Sequence, residues 1–328
     1  MKALVIGGTL FIGRELVRQL LGAGHEVAVL HRSGGHGYGR EVENLTADRN
    51  DGESVRRALA GRRFDWVFDN VYDWARGTTA EQVAATARAC GDGIERYVFM
   101  SSVAAYGDGL DHADEDELAP DDHPESYVRN KASSERALFR MHREKGFPAV
   151  TLRPPYIHGP GNPFYREAFF WDRFADDRPV IVPGDGRQLM QFAYVKDLAA
   201  ACLLAARQPG AVGRGFNIAH ESPVTQEQLV RILARAAGWE PRIVYVPRPV
   251  IEAAGGDPMG PDNLYFGVYF DLPPITQKID GARRTLGFEP TNPDQAWAET
   301  YAWYRENHHR PALNYSFEER LIATAEST

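Results

Sequence analysis

Tyr127 and Lys131 lie four residues apart at the start of Ser126–Lys145, a run whose pattern predicts a long helix. Residues at that spacing share one helix face, so the phenol and the ammonium project the same way. A tyrosine ionises near about 10 in water and is a poor base at neutral pH. Bringing that down to about 7 takes roughly 4 kcal/mol of differential stabilisation. Two close positive charges in a partly buried site supply this order of energy. The phenolate can then take the proton of a carbinol while hydride leaves the same carbon. Ser102 follows the apolar run 97–100 and offers a hydroxyl to orient the reacting oxygen. Taken alone, Tyr-x-x-x-Lys is also an ordinary surface helix pair, so its meaning depends on what lies upstream.

Upstream is Gly7-Gly8-Thr9-Leu10-Phe11-Ile12-Gly13, directly after the apolar run Ala3-Leu4-Val5-Ile6. A strand, a glycine turn and a helix let backbone approach a pyrophosphate at a helix N-terminus. Gly7, Thr9, Leu10, Phe11, Ile12 and Gly13 are therefore candidate cofactor contacts, although such turns also serve geometry alone. The hydride acceptor implied is a nicotinamide, NAD or NADP, whose positive ring is the second charge acting on Tyr127. After the second predicted strand the chain reads Leu30-His31-Arg32-Ser33, with no acid to bond the ribose hydroxyls. Arg32 is suited to a 2′-phosphate and favours NADP, unless His31 and Arg32 are solvated strand-end residues. Asp48 either accepts from the adenine amine or simply shapes a turn.

These residues need a scaffold. Strand-like segments at 2–6, 26–30, 65–68, 97–100 and 149–152 alternate with helix-like ones at 13–21, 53–59, 78–90 and 126–145. This rhythm predicts an α/β fold: a Rossmann-like, doubly wound parallel sheet covered by helices on both faces. Ligands of such sheets bind at the carboxyl ends of the strands. The glycine turn, Asp48, Asn70, Ser102 and the Tyr127 helix all follow strands and can converge there. Glycines end the first helix at 22–24, four more make 34–39 a loop, and Asp51 is a plausible helix cap. Past residue 155 the rhythm loosens and prolines accumulate. We expect a dinucleotide-binding domain over 1–155 and a mainly substrate-binding region over 156–328, with some elements returning to the first.

The chain has 328 residues, of which 43% are hydrophobic and 25% charged, an ordinary globular balance. A net charge of −8 argues against a general nucleic-acid binder. No apolar run approaches the roughly 18 residues of a membrane helix, and the start does not read as a secretory signal. Cys90 and Cys202 lack metal-ligand spacing and suit buried apolar roles in a reducing, cytoplasmic setting. No metal site is expected. The acidic stretch 108–122 reads as a solvated loop bordering the substrate entrance. His308-His309-Arg310 reads as surface. Phe169, Phe170 and Trp171 either line a sugar-sized pocket or pack in the core.

Together these motifs resemble the extended short-chain dehydrogenase/reductases of the NAD-dependent epimerase/dehydratase superfamily. The resemblance covers nearly the whole chain. It rests on the glycine turn, Ser101-Ser102-Val103-Ala104-Ala105-Tyr106-Gly107, Tyr127-Val128-Arg129-Asn130-Lys131, Arg153-Pro154-Pro155-Tyr156-Ile157-His158-Gly159-Pro160 and Tyr194-Val195-Lys196-Asp197. It implies Ser102, Tyr127 and Lys131 as the catalytic triad. It adds Tyr127, Lys131, Asn70 and Pro154 to the cofactor contacts, with a homodimer through two long helices. Departures are equally visible. Leu10 replaces the usual middle glycine and His31 the usual acid, and Asp69-Asn70-Val71-Tyr72 stands where the family is alanine-rich. Met190 replaces an arginine that grips the diphosphate of nucleotide sugars, leaving that task to Arg187 or Arg283. Val103-Ala104 stands where dehydratases carry Asp-Glu. The turn, Gln191 and Tyr315-Ser316-Phe317-Glu318-Glu319 are similar to a divergent branch that includes chloroplast stem-loop-binding proteins.

Two functions follow as expectations. The first is an NAD(P)-dependent epimerase or oxidoreductase acting on a sugar or nucleotide-sugar carbinol. The second is a nucleotide-binding regulatory or RNA-associated protein on a dehydrogenase scaffold.

Overall fold

The computed structural model describes residues 1–91 and 93–327. The strands up to residue 153 are β1 (Lys2–Ile6), β2 (Glu26–His31), β3 (Val42–Thr46), β4 (Trp66–Asp69), β5 (Arg96–Met100), β6 (Gly109–His112) and β7 (Ala149–Arg153). All but β6 join the strand Gly215–Asn217 in one seven-stranded parallel sheet. Its order is Gly215–Asn217, β7, β5, β4, β1, β2, β3. Parallel neighbours need crossovers. Helices α1 (Phe11–Gly22), α2 (Gly52–Leu59), α3 (Ala80–Ala89) and α4 (Ser126–Lys145) lie on those connections.

Side chains alternate between the two faces of the sheet, and both faces are covered, which explains why the strands are apolar throughout. Leu4, Ile6, Leu30, Val67 and Tyr97 pack with Val55 of α2, Val83 and Ala87 of α3 and Leu138 of α4. Ala3, Val5, Val29, Phe68 and Val98 pack with Leu16, Val17 and Leu20 of α1 and with the helix Val195–Arg207. Local chemistry sets the helix ends. Asp51 accepts from the N–H groups of Glu53 and Ser54, Thr79 and Gln82 form a capping box, and Gly146 closes α4 at φ +69°.

The chain divides into two compact units. The first comprises Met1–Ile157, Ala193–Glu221 and Ile275–Pro290, and the second His158–Phe192, Ser222–Pro274 and Thr291–Thr328. In the second unit, the strand Val180–Pro183 pairs in parallel with Ile243–Val246. Phe169, Phe170 and Trp171 are buried there, and the Trp171 indole donates to the Leu233 carbonyl at 3.0 Å. They are core residues.

Two segments read as solvated surface are mostly exposed, and each also makes specific contacts. Within 108–122, β6 pairs in parallel with Ile275–Gln277. Asp114 accepts from the Asn217 N–H at 2.8 Å, and burial pushes its carboxyl up to about 6. His308 and Arg310, both read as surface, each reach the buried carboxylate of Asp172 at 3.3 Å. Among the described residues there is no cluster able to hold a metal ion. No helix of the described residues is long and apolar enough to cross a membrane.

One buried carboxylate fastens α4 to the sheet. Glu135 accepts from Ser101 at 2.5 Å, from Thr151 at 2.6 Å, and from Arg153 Nε and Nη2 at 2.9 and 2.7 Å. Burial works against this charge, but the Arg153 guanidinium and the two hydroxyls hold the carboxyl below its ordinary value. Arg153 Nη1 also donates to Tyr106 at 2.5 Å, and Tyr106 donates to Asn217 at 2.9 Å. Removing one partner of such a pair leaves an uncompensated buried charge, typically about 3–5 kcal/mol. Glu135→Ala should lose that order of stability in urea denaturation. Glu135→Gln, which keeps one acceptor oxygen and the side-chain shape but not the charge, should fall between it and the parent.

Candidate active site

The glycine turn is tight for steric reasons. Gly7 adopts φ +82°, and its N–H donates to the Leu30 carbonyl at 2.9 Å. A Cβ at Gly13 would strike the Gly7 carbonyl and come within 2.9 Å of Gly8 Cα. A Cβ at Gly8 would come within 2.9 Å of Val29. The turn therefore presses the start of α1 against the carboxyl end of β1. No side chain caps α1, so its first N–H groups lack side-chain acceptors.

The structure gives a physical reason for Leu10. Its backbone is extended, φ −129° and ψ 151°, a conformation open to any residue, and its side chain is 71% exposed. The positive φ falls instead on Phe11, at +36°, while its ring is buried. A left-handed conformation costs a non-glycine residue about 1–2 kcal/mol. Thr9 is half-buried, and Ile12 packs against the core beside α1.

Around this turn lie the other candidates. Asn70 donates its N–H to the Ile6 carbonyl at 3.1 Å, and its side-chain Nδ2 is buried without a partner. His31 is buried and fixed by Ser33 at 2.7 Å and Asn44 at 2.5 Å. Arg32 is 67% exposed and pairs with Asp73 at 3.2 Å. Asp48 pairs with Arg76 at 2.8 Å. Burial opposes its ionisation, but the Asn50 N–H and Arg76 keep its carboxyl below the ordinary range. The Pro154 carbonyl accepts from Val103 N–H at 2.9 Å, stitching the end of β7 to the turn after Ser102.

At the chemical end, Ser102 is buried and its Oγ accepts from Ala104 N–H at 3.2 Å. The turn Val103–Tyr106 packs against α4. Lys131 is 4% exposed and donates to the Met100 carbonyl at 2.7 Å. Its ammonium lies 5.0, 5.3 and 5.8 Å from the ring centres of Phe99, Tyr72 and Tyr127. Tyr127 is half-buried, edge-on to Tyr72 at 4.8 Å and stacked on Trp74 at 4.9 Å. Ser102, Tyr127 and Lys131 thus belong to one unit, on α4 and the strand end it covers. Arg187 and Arg283 are engaged at the surface with Asp185 and with Glu221 and Glu289.

Several neighbours carry no role in the sequence reading. Tyr38, from the glycine-rich loop, donates to the Gly8 carbonyl. Val71 fills the space a Cβ on Gly7 would occupy. Tyr72, Asp73, Trp74 and Arg76 come from the loop after β4, which carries no periodic pattern. Glu135 could have been found, since it follows Lys131 by four residues on the same helix face.

The open parallel sheet, with a glycine turn at the carboxyl edge of its first strand, defines a Rossmann-like dinucleotide-binding fold. The model of the NAD dependent epimerase/dehydratase family matches residues 3–219. The chain is 33% identical over 310 residues to the chloroplast stem-loop binding protein of 41 kDa b of Arabidopsis thaliana, covering 88% of this chain and 75% of that one. It is 27% identical over 348 residues to a 3-beta-hydroxysteroid dehydrogenase of Mycolicibacterium neoaurum, covering 93% and 92%. The UDP-glucose 4-epimerase of Thermotoga maritima, solved with UDP-glucose, superposes with a TM-score of 0.75 at 23% identity, covering 94% of this chain and all of that one. A dTDP-glucose 4,6-dehydratase of Bacillus anthracis, solved with NAD, gives 0.75 at 18% identity, covering 94% and 97%. This protein belongs to the NAD-dependent epimerase/dehydratase family.

Burial pushes the Lys131 ammonium down to about 8. Below pH 8 the folded and unfolded chains both carry the proton, and the cost of burying the charge is present in full. Between about 8 and 10.5 the folded protein sheds the proton first and that cost disappears. Stability relative to Lys131→Met should therefore rise with pH across this window, by up to about 3 kcal/mol. Urea denaturation at pH 7 and pH 10 measures it, and a constant difference would refute it.

Proposed function

We propose that the chain is an NAD(P)-dependent epimerase or oxidoreductase acting on a carbinol of a sugar or nucleotide sugar, with Ser102, Tyr127 and Lys131 as catalytic residues. One observation carries the reading: Tyr127 and Lys131 share a helix face that Glu135 fastens to Ser101, beside Ser102, on the sheet whose β1 leads into the glycine turn. The tight turn, the uncapped α1 and the unpartnered Asn70 amide suit a dinucleotide. When bound, that group accepts and returns a hydride.

The chain's own residues supply the remaining chemistry. Tyr127 takes the hydroxyl proton and returns it. Lys131 favours the phenolate through its positive charge and holds the nicotinamide ribose. Ser102 uses its Oγ lone pair for Ala104 N–H, which leaves its O–H to donate to the substrate oxygen. Gly7, Thr9, Leu10, Phe11, Ile12 and Gly13 hold the pyrophosphate, with Asp48 and Pro154 further along the dinucleotide. The exposed Arg32 guanidinium favours the 2′-phosphate of NADP. The region 156–328 is taken as mainly substrate-binding. The reading is completed by a cytoplasmic homodimer built through two long helices.

Mass spectrometry of nucleotide released on denaturation, followed by NADH and NADPH titration, tests the cofactor. Stoichiometric NAD marks an internally recycled cofactor and an epimerase; an empty protein that binds NADPH more tightly than NADH marks an exchanging reductase. Uptake of neither defeats the proposal. Tyr127→Phe should lower turnover about 100-fold or more. Retained turnover removes Tyr127 from its role.

A second reading, RNA association, draws on the likeness to the stem-loop binding protein. It is also favoured by a groove of the first unit lined by Arg88, Arg129, Arg136 and Arg140 against the two acids Glu81 and Asp121. In a gel shift at physiological salt, saturable binding would support it, and no shift leaves the enzyme reading.

A further inference from the structure

Arg32 follows β2 and Asp73 lies in the loop after β4, while β1 lies between those two strands. The Arg32–Asp73 ion pair, at 3.2 Å, therefore crosses the carboxyl end of β1, where the glycine turn begins. Two strand spacings are about 10 Å, a width that an arginine and an aspartate side chain span together. A second tie runs the same way. Arg76, in the same loop, reaches Asp48 beyond β3 at 2.8 Å while also pairing with Asp73 at 2.7 Å. The two arginines are 67% and 51% exposed, whereas the Asp73 side chain is 7% exposed. Asp73 is held within its own loop by the N–H groups of Ala75 and Arg76, at 3.1 and 3.0 Å. The loop is braced behind by Asn50, whose amide donates to the Gly77 carbonyl at 2.7 Å, and by Thr78, which donates to Asn50 at 3.1 Å. The next residue after Asp73 is Trp74, 58% exposed, whose ring stacks on Tyr127.

One short loop thus ties itself to β2 by a carboxylate and rests on the catalytic phenol by the adjacent indole. We propose that this loop is a clasp over the dinucleotide, with Asp73 closing it through Arg32 and Trp74 covering Tyr127. The inference rests on the dinucleotide reading above and adds to it two positioning residues, Asp73 and Trp74. Asp73 sets how long the nucleotide stays. Trp74 offers the reacting centre a flat apolar wall, suited to the C–H face of a sugar ring. A 2′-phosphate would take Arg32 from Asp73, so the clasp closes over NADH and stands open with NADPH.

Release of bound NADH, displaced by excess NAD and followed by NADH fluorescence in stopped flow, tests the clasp. NADH is used because it lacks the 2′-phosphate that would itself engage Arg32. At low salt, Asp73→Asn and Arg32→Ala should release NADH about five- to tenfold faster than the parent. The parent's release should quicken with salt, as an exposed ion pair weakens, while both variants keep only the smaller dependence left by the Arg76–Asp48 pair. Arg32→Ala leaves the Asp73 turn intact, so it separates the clasp from a folding defect. Arg32→Lys, which keeps the charge, should restore slow release, and Arg56→Ala, at an exposed surface pair on α2, should match the parent. The tryptophan emission change on NADH binding should shrink in Trp74→Phe. Stoichiometric NADH with equal release rates and equal salt dependence in parent, Asp73→Asn and Arg32→Ala overturns the clasp and leaves the proposed function standing. A protein that takes up neither NADH nor NADPH overturns both.

Discussion

The buried carboxylate of Glu135 is the joint on which the chemical end depends. Tyr127, Lys131 and Glu135 descend one face of α4 at intervals of four residues, so anchoring the third fixes the other two. Its partners come from three places: Ser101 next to Ser102, Thr151 on β7, and Arg153 at the end of β7. A charge this deep is tolerated because every contact is a donor and one is a guanidinium in fork geometry. A hydrophobic residue at 135 could hold α4 against the sheet but would not fix its rotation or height. The ion pair does both, and through Tyr106 and Asn217 it extends to the strand at the sheet's edge.

The glycine turn, at the same carboxyl edge of the sheet, works by exclusion of bulk rather than by charge. Gly7, Gly8 and Gly13 lack side chains where the Gly7 backbone, Val29 and Val71 leave no room. Leu10 is allowed because its backbone is extended and its side chain faces solvent, and the conformational burden moves to Phe11. The departure from the family's glycine pattern is thus a redistribution of strain within a turn that stays close to β1.

The central sheet was legible because its signals are local. Apolar runs of four to six residues, glycine turns and the cap at Asp51 each depend on near neighbours, and β1, α2 and α4 follow them closely. α1 begins two residues earlier than its periodicity suggests, because the helix starts at the strained Phe11 and not at Gly13. What was not legible depends on distant partners. The β6 pairing joins residues more than 160 positions apart, and it gives a strand to a segment whose composition reads as a loop. His308 and Arg310 look like surface residues until Asp172 is brought beneath them. The loop after β4 shows no period at all, and its Asp73 and Trp74 acquire meaning only when β2 and α4 are placed on either side of it.

Lys131 shows why such a site is costly to keep. Its ammonium is buried with a carbonyl at 2.7 Å and three aromatic faces, and Asp69 acts on it only through space. Desolvation makes this charge a burden in the resting fold, hence its depressed ionisation. The same weak solvation makes its field strong toward a negative charge that appears nearby, because little water remains to screen it. A lysine with a close carboxylate partner would be more stable, but its field at the phenol would be cancelled in advance. The destabilisation of the resting protein and a weakly screened field at the Tyr127 ring, 5.8 Å away, are therefore two consequences of one arrangement, and Glu135 keeps that arrangement from relaxing.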